Sequence, residues 1–173
     1  CDTIFQFGCD VLEEAPVQGL FFERIQREQP LNKTVSANPA PADFERESLV
    51  NLRYRAGEEI AFIEELEQAL QHGEAEGELG RLVERLLESD SVGIVFGHHI
   101  LNSDNPGELV LALRHLQETL QEVLERERGE DYDRVTLTPV LRHGNSMGAL
   151  AVGHQGLLDG ESNNQPTLGE FTE

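Results

Sequence analysis

Four short, mostly apolar runs follow one another along the chain, and each ends at glycine, asparagine or another polar residue. They cover residues 4–7, 33–37, 92–96 and 135–141. Short continuous runs that are rich in Val, Ile and Phe are typical of strands covered on both faces, as in a parallel sheet. The pattern therefore predicts four buried strands.

Apolar residues at helical spacing occupy the stretches between these runs. Val17, Leu20, Phe21 and Ile25 recur at intervals of three and four, which predicts a helix that runs to about Arg27. The same periodicity predicts further helices over residues 58–72, 79–87 and 106–128, and a short helix over residues 147–152.

The alternation of strands and helices predicts the fold class. It indicates an α/β fold with a doubly wound, mostly parallel sheet of about four to five strands and helices on both faces. Residues 1–157 are assigned to this domain, and residues 40–57 within it are predicted to form a loop with one helical turn. Residues 158–173 are polar and aperiodic, so we expect an irregular tail.

The charge balance narrows the classes of partner. The chain has 33 acidic and 13 basic residues, a net charge of −20. This acidity argues against binding to nucleic acid or to an anionic membrane surface, because both need clustered Lys and Arg. No apolar run approaches the roughly 20 residues of a membrane-spanning helix. The acidic groups 58–59, 64–65 and 125–130 are interpreted as solvated helix faces, and the acidity also suits solubility at high salt.

The two cysteines do not indicate a disulfide framework or a metal centre. Cys1 and Cys9 are separated by seven residues, a spacing that matches no standard zinc or iron–sulfur pattern. They favour a reducing compartment, with Cys9 as a buried inert thiol. Because the chain begins at Cys1 and enters an apolar run at once, we expect it to be a segment of a longer chain.

Candidate ligand-binding residues follow the predicted strands. In open α/β sheets, ligands bind beyond the carboxyl ends of the strands, where glycine permits close approach and helix N-termini favour anions. The residues at these positions, which could contact a phosphate or a polar ligand edge, are Gly8, Cys9, Asp10, Asn38, Gly97, His98, Asn145 and Ser146. The alternative is that they only form turns.

A metal site and an independent catalytic activity have weaker support in the sequence. His98 and His99 could meet His143 in space, but their spacing does not require a metal site, and we assign none. No dinucleotide-binding glycine motif, phosphate-binding loop, nucleophile elbow or zinc-protease motif occurs. An independent NAD-binding or hydrolytic enzyme is therefore disfavoured, and we assign no catalytic residue.

The order of the strand-end segments resembles the molybdopterin oxidoreductase superfamily. The similar segments are a strand, a Gly-polar turn and an acidic-x-Pro helix start in residues 1–17, a helix entry in 52–59, a strand with a glycine turn in 93–99, and the pair 144–149 and 156–160. The Asn145-Ser146-Met147-Gly148 run and the Leu-Leu-x-Gly close are most similar to the large iron–sulfur subunits of NADH:quinone oxidoreductases (respiratory complex I).

This resemblance implies a domain from the cofactor-binding body of an electron-transfer subunit. Other subunits would be its partners, and it would be cytoplasmic, peripheral on the inner membrane through them. The family's cluster-binding cysteines would lie upstream, so we expect no iron–sulfur cluster here. Asn38-Pro39-Ala40 stands where many members have Asp-Pro-Arg, which favours a vestigial scaffold domain.

Two alternatives stay open at this point. The loops could form part of a working molybdopterin guanine dinucleotide site, as in formate or formylmethanofuran dehydrogenases. A central domain of a thiamine-diphosphate enzyme has a similar sheet, but it needs flanking cofactor domains that this chain lacks.

Overall fold

The strands form one parallel sheet. The computed structural model describes residues 2–28, 33–73, 75–129 and 134–141. The sheet has the order β3-β2-β1-β4-β5, and every neighbouring pair is parallel. Its strands are β1 (Thr3–Phe7), β2 (Lys33–Asn38), β3 (Val50–Arg53), β4 (Val92–Phe96) and β5 (Val135–Pro139). The predicted α/β class with a parallel sheet is confirmed.

Four helices lie close to the predicted positions, and two short helices, over Val11–Glu14 and His98–Leu101, were not predicted. They are α1 (Val11–Glu14), α2 (Pro16–Glu28), α3 (Glu59–His72), α4 (Gly77–Glu88), α5 (His98–Leu101) and α6 (Pro106–Arg128), and a 3-10 helix spans Asp43–Glu47. Among the described residues, no helix is both long and apolar enough to cross a membrane. The predicted helix over 147–152 and the tail over 158–173 lie outside the described residues and stay predictions.

One strand was not predicted. β3 lies inside the stretch 40–57, which was predicted to be a loop. Val50 and Leu52 are buried there, while Asn51 and Arg53 are exposed. Four residues with this alternation are a weak sequence signal, and the strand forms because it can pair with β2 at the sheet edge.

The two faces of the sheet differ in polarity. One face carries Phe5, Phe7, Val35 and Ile94, which pack with α3, α4 and α6 in the main core. The opposite face is more polar, because Gln6, Thr34 and Ser36 alternate with those residues along β1 and β2. Among the described residues, a small apolar cluster covers this second face and includes side chains from the sheet, from α1 and from the 3-10 helix. Its members are Ile4, Cys9, Val11, Phe44, Val95 and Val140, with Leu12, Ala15 and Phe22 at its margin.

The parallel arrangement brings three strand ends to the same edge. Phe7 of β1 pairs with Ala37 of β2 and with Phe96 of β4. Gly8 and Gly97, which follow β1 and β4, therefore lie next to Asn38, the last residue of β2.

Candidate functional site

The structure brings together six of the predicted site residues at the carboxyl edge of the sheet. These residues, called the rim below, are Gly8, Cys9, Asp10, Asn38, Gly97 and His98. The Cys9 amide donates a hydrogen bond of 2.9 Å to the side-chain oxygen of Asn38, which ties the end of β1 to the end of β2. Asn145 and Ser146 lie outside the described residues, so their place in the rim stays a prediction.

Glu14, the last residue of α1, connects two turns of the rim through hydrogen bonds of its side chain. Its Oε1 accepts a hydrogen bond of 2.9 Å from the Asp10 amide, and its Oε2 accepts one of 2.5 Å from the His98 amide. The side chain is more than nine-tenths buried. One carboxylate thus bridges the turns after β1 and β4 and occupies amide donors that an anionic ligand would otherwise use.

Asp10 occupies a further set of amides. Its Oδ1 accepts hydrogen bonds from the Leu12 amide at 3.1 Å and from the Glu13 amide at 3.4 Å, so Asp10 caps α1. Its Oδ2 accepts a bond of 2.6 Å from the Asp43 amide. The backbone donors at this helix start are therefore satisfied by the carboxylate of the chain itself.

Gly97 is needed at the rim because there is no room for a side chain. A Cβ placed there would lie 2.5 Å from the Cβ of Cys9 and would collide with the Glu14 carboxylate. The backbone of Gly97 has φ −141°, so the restriction is one of space and not of backbone conformation. The absence of a side chain at Gly97 therefore lets the Glu14 carboxylate lie against the turn after β4.

Cys9 is buried in this setting, as predicted. It is 3% exposed, and its Sγ lies 3.8 Å from the Val95 carbonyl oxygen and 3.9 Å from Oε1 of Gln6. Burial raises the pKa of the Cys9 thiol well above its ordinary value, and the carboxylates of Glu14 and Asp10 raise it further. A nucleophilic thiolate is therefore disfavoured at neutral pH.

Two buried amide groups flank Cys9 without a hydrogen-bond acceptor. Within the described part of the chain, the side-chain nitrogens of Gln6 and Asn38 have no partner. Both side chains are at least nine-tenths buried. Since an unpaired buried donor costs about 1–3 kcal/mol, these groups would gain from an added acceptor.

A second polar cluster lies beside the rim, between α3 and α5. Nε2 of His99 donates a hydrogen bond of 2.7 Å to Oε1 of Glu59, which also accepts one of 2.9 Å from the Gly57 amide. Burial opposes ionisation of Glu59, but these hydrogen bonds outweigh it and hold the pKa of Glu59 below its ordinary value. Tyr54 packs against the His99 ring at 6.1 Å, and burial raises the pKa of Tyr54 above its usual range.

This cluster borders an open cleft of about 330 Å³. Glu59, His99, Asn102, Ser103 and Asp104 are among the lining residues. The prediction that the acidic pair at 58–59 is a solvated face is wrong for Glu59, which is 6% exposed. Glu59 is buried because it bonds to His99 and to the start of its own helix.

The described residues do not support a metal centre. No group of three or more His, Cys, Asp or Glu side chains is arranged to hold an ion within the described ranges. His98 accepts a hydrogen bond of 2.8 Å at Nδ1 from Asn102, and His99 is engaged by Glu59. His143, the third histidine considered from the sequence, lies outside the described residues.

The sequence reasoning missed Glu14 and Glu59. Both stand in acidic stretches that are typical of solvated helix faces. The available signal for Glu14 was its position four residues after Asp10, at the first turn of a helix that follows a strand end. A carboxylate there can reach back to an amide of that turn.

The comparisons with known proteins support the fold and leave the family open. No protein-family model matches the sequence. No curated protein matches it either. Among solved structures, the chain is similar to one chain of the formyltransferase/hydrolase complex from Methylorubrum extorquens in complex with methylofuran.

That structural similarity covers most of this chain but less than half of the other. The TM-score is 0.54 at 18% sequence identity, over 87% of this chain and 39% of the chain it matches. Similarity at this level of identity shows a shared fold. The chain therefore corresponds in fold to a part of a longer polypeptide.

Proposed function

We propose that this chain is a structural domain of a multi-subunit electron-transfer oxidoreductase, of the NADH:quinone oxidoreductase type, with a vestigial cofactor site. The observation that carries the proposal is the Glu14 carboxylate, which bridges the Asp10 and His98 amides at the rim. The domain would position neighbouring parts of the assembly and take no direct part in the chemistry.

The rim residues do not fit the anionic part of a molybdopterin guanine dinucleotide. Its pyrophosphate would need backbone donors at the strand ends, and the Asp10, Leu12, Glu13 and His98 amides already bond to carboxylates. A phosphate brought to these amides would also meet the negative charges of Asp10 and Glu14 in a partly buried setting, where repulsion is poorly screened. We therefore derive no chemical step through this cofactor.

Two further features support a scaffold. Ala40 stands where many members of the similar superfamily have an arginine, so a cation for an anionic ligand is missing at this position. The chain of similar fold belongs to a multi-component complex and is much longer than this one. Both are consistent with a domain that acts within a larger assembly.

Cofactor content after expression tests the proposal. The full chain would be produced in a bacterium that makes molybdopterin guanine dinucleotide, and its molybdenum and pterin content would be measured after purification. We expect only traces of either. A stoichiometric amount of pterin or molybdenum would overturn the scaffold proposal.

The unpaired amide of Asn38 favours a second candidate, a working half of a dinucleotide site. Asn38 and Gln6 would then donate to a ligand acceptor next to Cys9. In that case Asn38→Ala would weaken binding of guanosine diphosphate at least tenfold, while exposed Asn51→Ala on β3 would leave it unchanged. Equal behaviour of the two variants would eliminate this candidate.

A further inference from the structure

Helix α2 presents an apolar stripe to solvent. Val17, Leu20 and Phe21, at helical positions i, i+3 and i+4, are 83%, 61% and 58% exposed. The helix that this spacing predicted is present, but most of its large apolar side chains point away from the sheet. Three large apolar side chains together on one helix face are unusual for a surface that meets only water.

The opposite side of α2 explains this orientation. Gly19 is the buried residue of the helix, and it packs closely against Leu12 of α1. Near the other end, Gln26 hydrogen-bonds the Thr34 hydroxyl on the polar face of the sheet. The helix is thus attached through a glycine and a polar contact, which leaves its apolar residues for another surface.

We propose that the stripe formed by Val17, Leu20 and Phe21 is a docking surface for an apolar, basic surface of a companion subunit. The inference rests on the proposed function, because a scaffold domain needs surfaces that bind its neighbours. It adds a location and a partner chemistry that neither the fold nor the rim supplies.

The charge around the stripe selects a basic partner. In α2 and in α1, which packs against it, residues 10–28 carry five acidic and two basic side chains, and of the acidic ones Glu14 is buried in the rim. Both cations are engaged within α2, where Arg24 lies 2.7 Å from Glu28 and Arg27 lies 3.5 Å from Glu23. Lys and Arg on a partner would therefore meet mostly carboxylates around an apolar centre.

The same charges disfavour a second copy of this chain. Two copies would each bring a net charge of −20 to the contact. The three side chains offer roughly a few hundred Å² of apolar surface, whereas a stable interface takes about 800 Å² from each partner. This is enough for the apolar centre of a complementary interface, but it is a small area to offset the repulsion between like-charged chains.

Two synthetic helical peptides test the partner chemistry. Both have the same leucine face, and the polar face is lysine in one and glutamate in the other. Binding to the full chain would be measured by fluorescence anisotropy at physiological salt. The compared proteins are the unaltered chain, the double variant Leu20→Ser and Phe21→Ser, and the control Leu111→Ser, which changes a leucine of α6 that is 63% exposed.

We expect the lysine peptide to bind the unaltered chain and the Leu111→Ser control equally, and the double variant at least tenfold more weakly. The glutamate peptide should not bind. Circular dichroism would establish that all three proteins are folded. Undiminished binding by the double variant, or equal binding of both peptides, would overturn the proposal.

Sedimentation velocity tests the competing occupant. The proposal expects a monomer at low and at high salt, and a dimer abolished by the double variant would replace the companion subunit with a second copy. The cofactor content of the rim is measured separately, so failure of the docking surface and failure of the scaffold proposal are distinguishable.

Discussion

At the scale of single residues, the rim is organised around the Glu14 carboxylate and the space that Gly97 leaves for it. A methyl group at position 97 would collide with that carboxylate and with Cys9. Breaking the bridge would leave the Asp10 and His98 amides unpaired in a partly buried setting. The geometry therefore couples a glycine of one turn to an acidic residue of another.

The substitution Gly97→Ala tests this coupling. We expect it to lower the free energy of unfolding by about 2–4 kcal/mol, because a close-packed site must shift and two amides lose their acceptor. Urea denaturation gives the value. The matched control is Gly107→Ala in α6, where a Cβ would meet nothing within 4 Å. That variant should be neutral or stabilising by up to about 1 kcal/mol, and equal losses for both would refute the steric argument.

The Glu59–His99 pair predicts a dependence of stability on pH. The pKa of Glu59 in the folded chain lies below its ordinary value because the Gly57 amide and His99 bond to the carboxylate, although burial opposes the shift. Such a carboxylate stabilises the fold above the unfolded pKa, and this contribution is lost as pH falls through the folded pKa.

The variant Glu59→Gln should therefore be less stable than the unaltered chain at pH 7, with the difference shrinking as pH falls below about 4. Chemical denaturation at a series of pH values measures it. Glu58→Gln, whose side chain is 58% exposed, is the control and should show little difference at any pH. A difference for Glu59→Gln that is constant with pH would show that its ionisation does not matter.

At the scale of elements, the larger of the two hydrophobic clusters formed by the described residues lies on one side of the sheet. Leu113, Leu116, Leu120 and Leu124 of α6 are almost completely buried in the main core. The neighbouring Leu111 lies on the opposite face of the same helix and is exposed. The two faces of one helix thus offer a direct comparison of buried and exposed leucine.

Truncation of these leucines tests that assignment. Leu113→Ala should lower the free energy of unfolding by about 2–5 kcal/mol, because it opens a cavity in a packed core. Leu111→Ala should change it by less than about 0.5 kcal/mol. Urea denaturation of both variants decides, and a large loss for Leu111→Ala would place α6 in a different orientation.

The elements also show which parts of the fold could be predicted from the sequence. Helices α3, α4 and α6 have long periodic patterns and were predicted close to their observed bounds, because packing and periodicity agree there. β3 could not be predicted, because two buried residues in a run of four indicate a strand only when their pairing with β2 is known. The outward stripe of α2 was equally hidden, since periodicity identifies an apolar face but not what the face contacts.

At the rim, the positions of the strand-end turns could be predicted from the sequence, but the hydrogen bonds of the Glu14 side chain could not. Gly8, Asn38 and Gly97 could be placed because parallel strands end at a common edge. The role of Glu14 depends on a contact with His98, which lies 84 residues away in the chain, and no local pattern encodes such a contact.

At the scale of the whole molecule, the net charge of −20 is the dominant electrostatic property. Self-repulsion of that size opposes the compact state, and dissolved salt screens it. We expect the melting temperature to rise by several degrees when the salt concentration increases from about 0.01 M to about 1 M, as the Debye length falls from about 30 Å to about 3 Å.

A double variant, Glu64→Gln and Glu65→Gln on the exposed side of α3, provides the control for the effect of salt. It should melt at a higher temperature than the unaltered chain at low salt and gain less from added salt. Differential scanning calorimetry measures both. A melting temperature that is independent of salt would mean that repulsion does not limit stability.

We infer that the Glu14 carboxylate closes the rim to an anionic ligand. Isothermal titration calorimetry of the full chain with guanosine diphosphate tests it most directly, because this molecule carries the pyrophosphate that the rim amides would have to receive. We expect no measurable binding up to millimolar concentrations. Micromolar binding that is weakened by Asp10→Ala or by Asn38→Ala would contradict it.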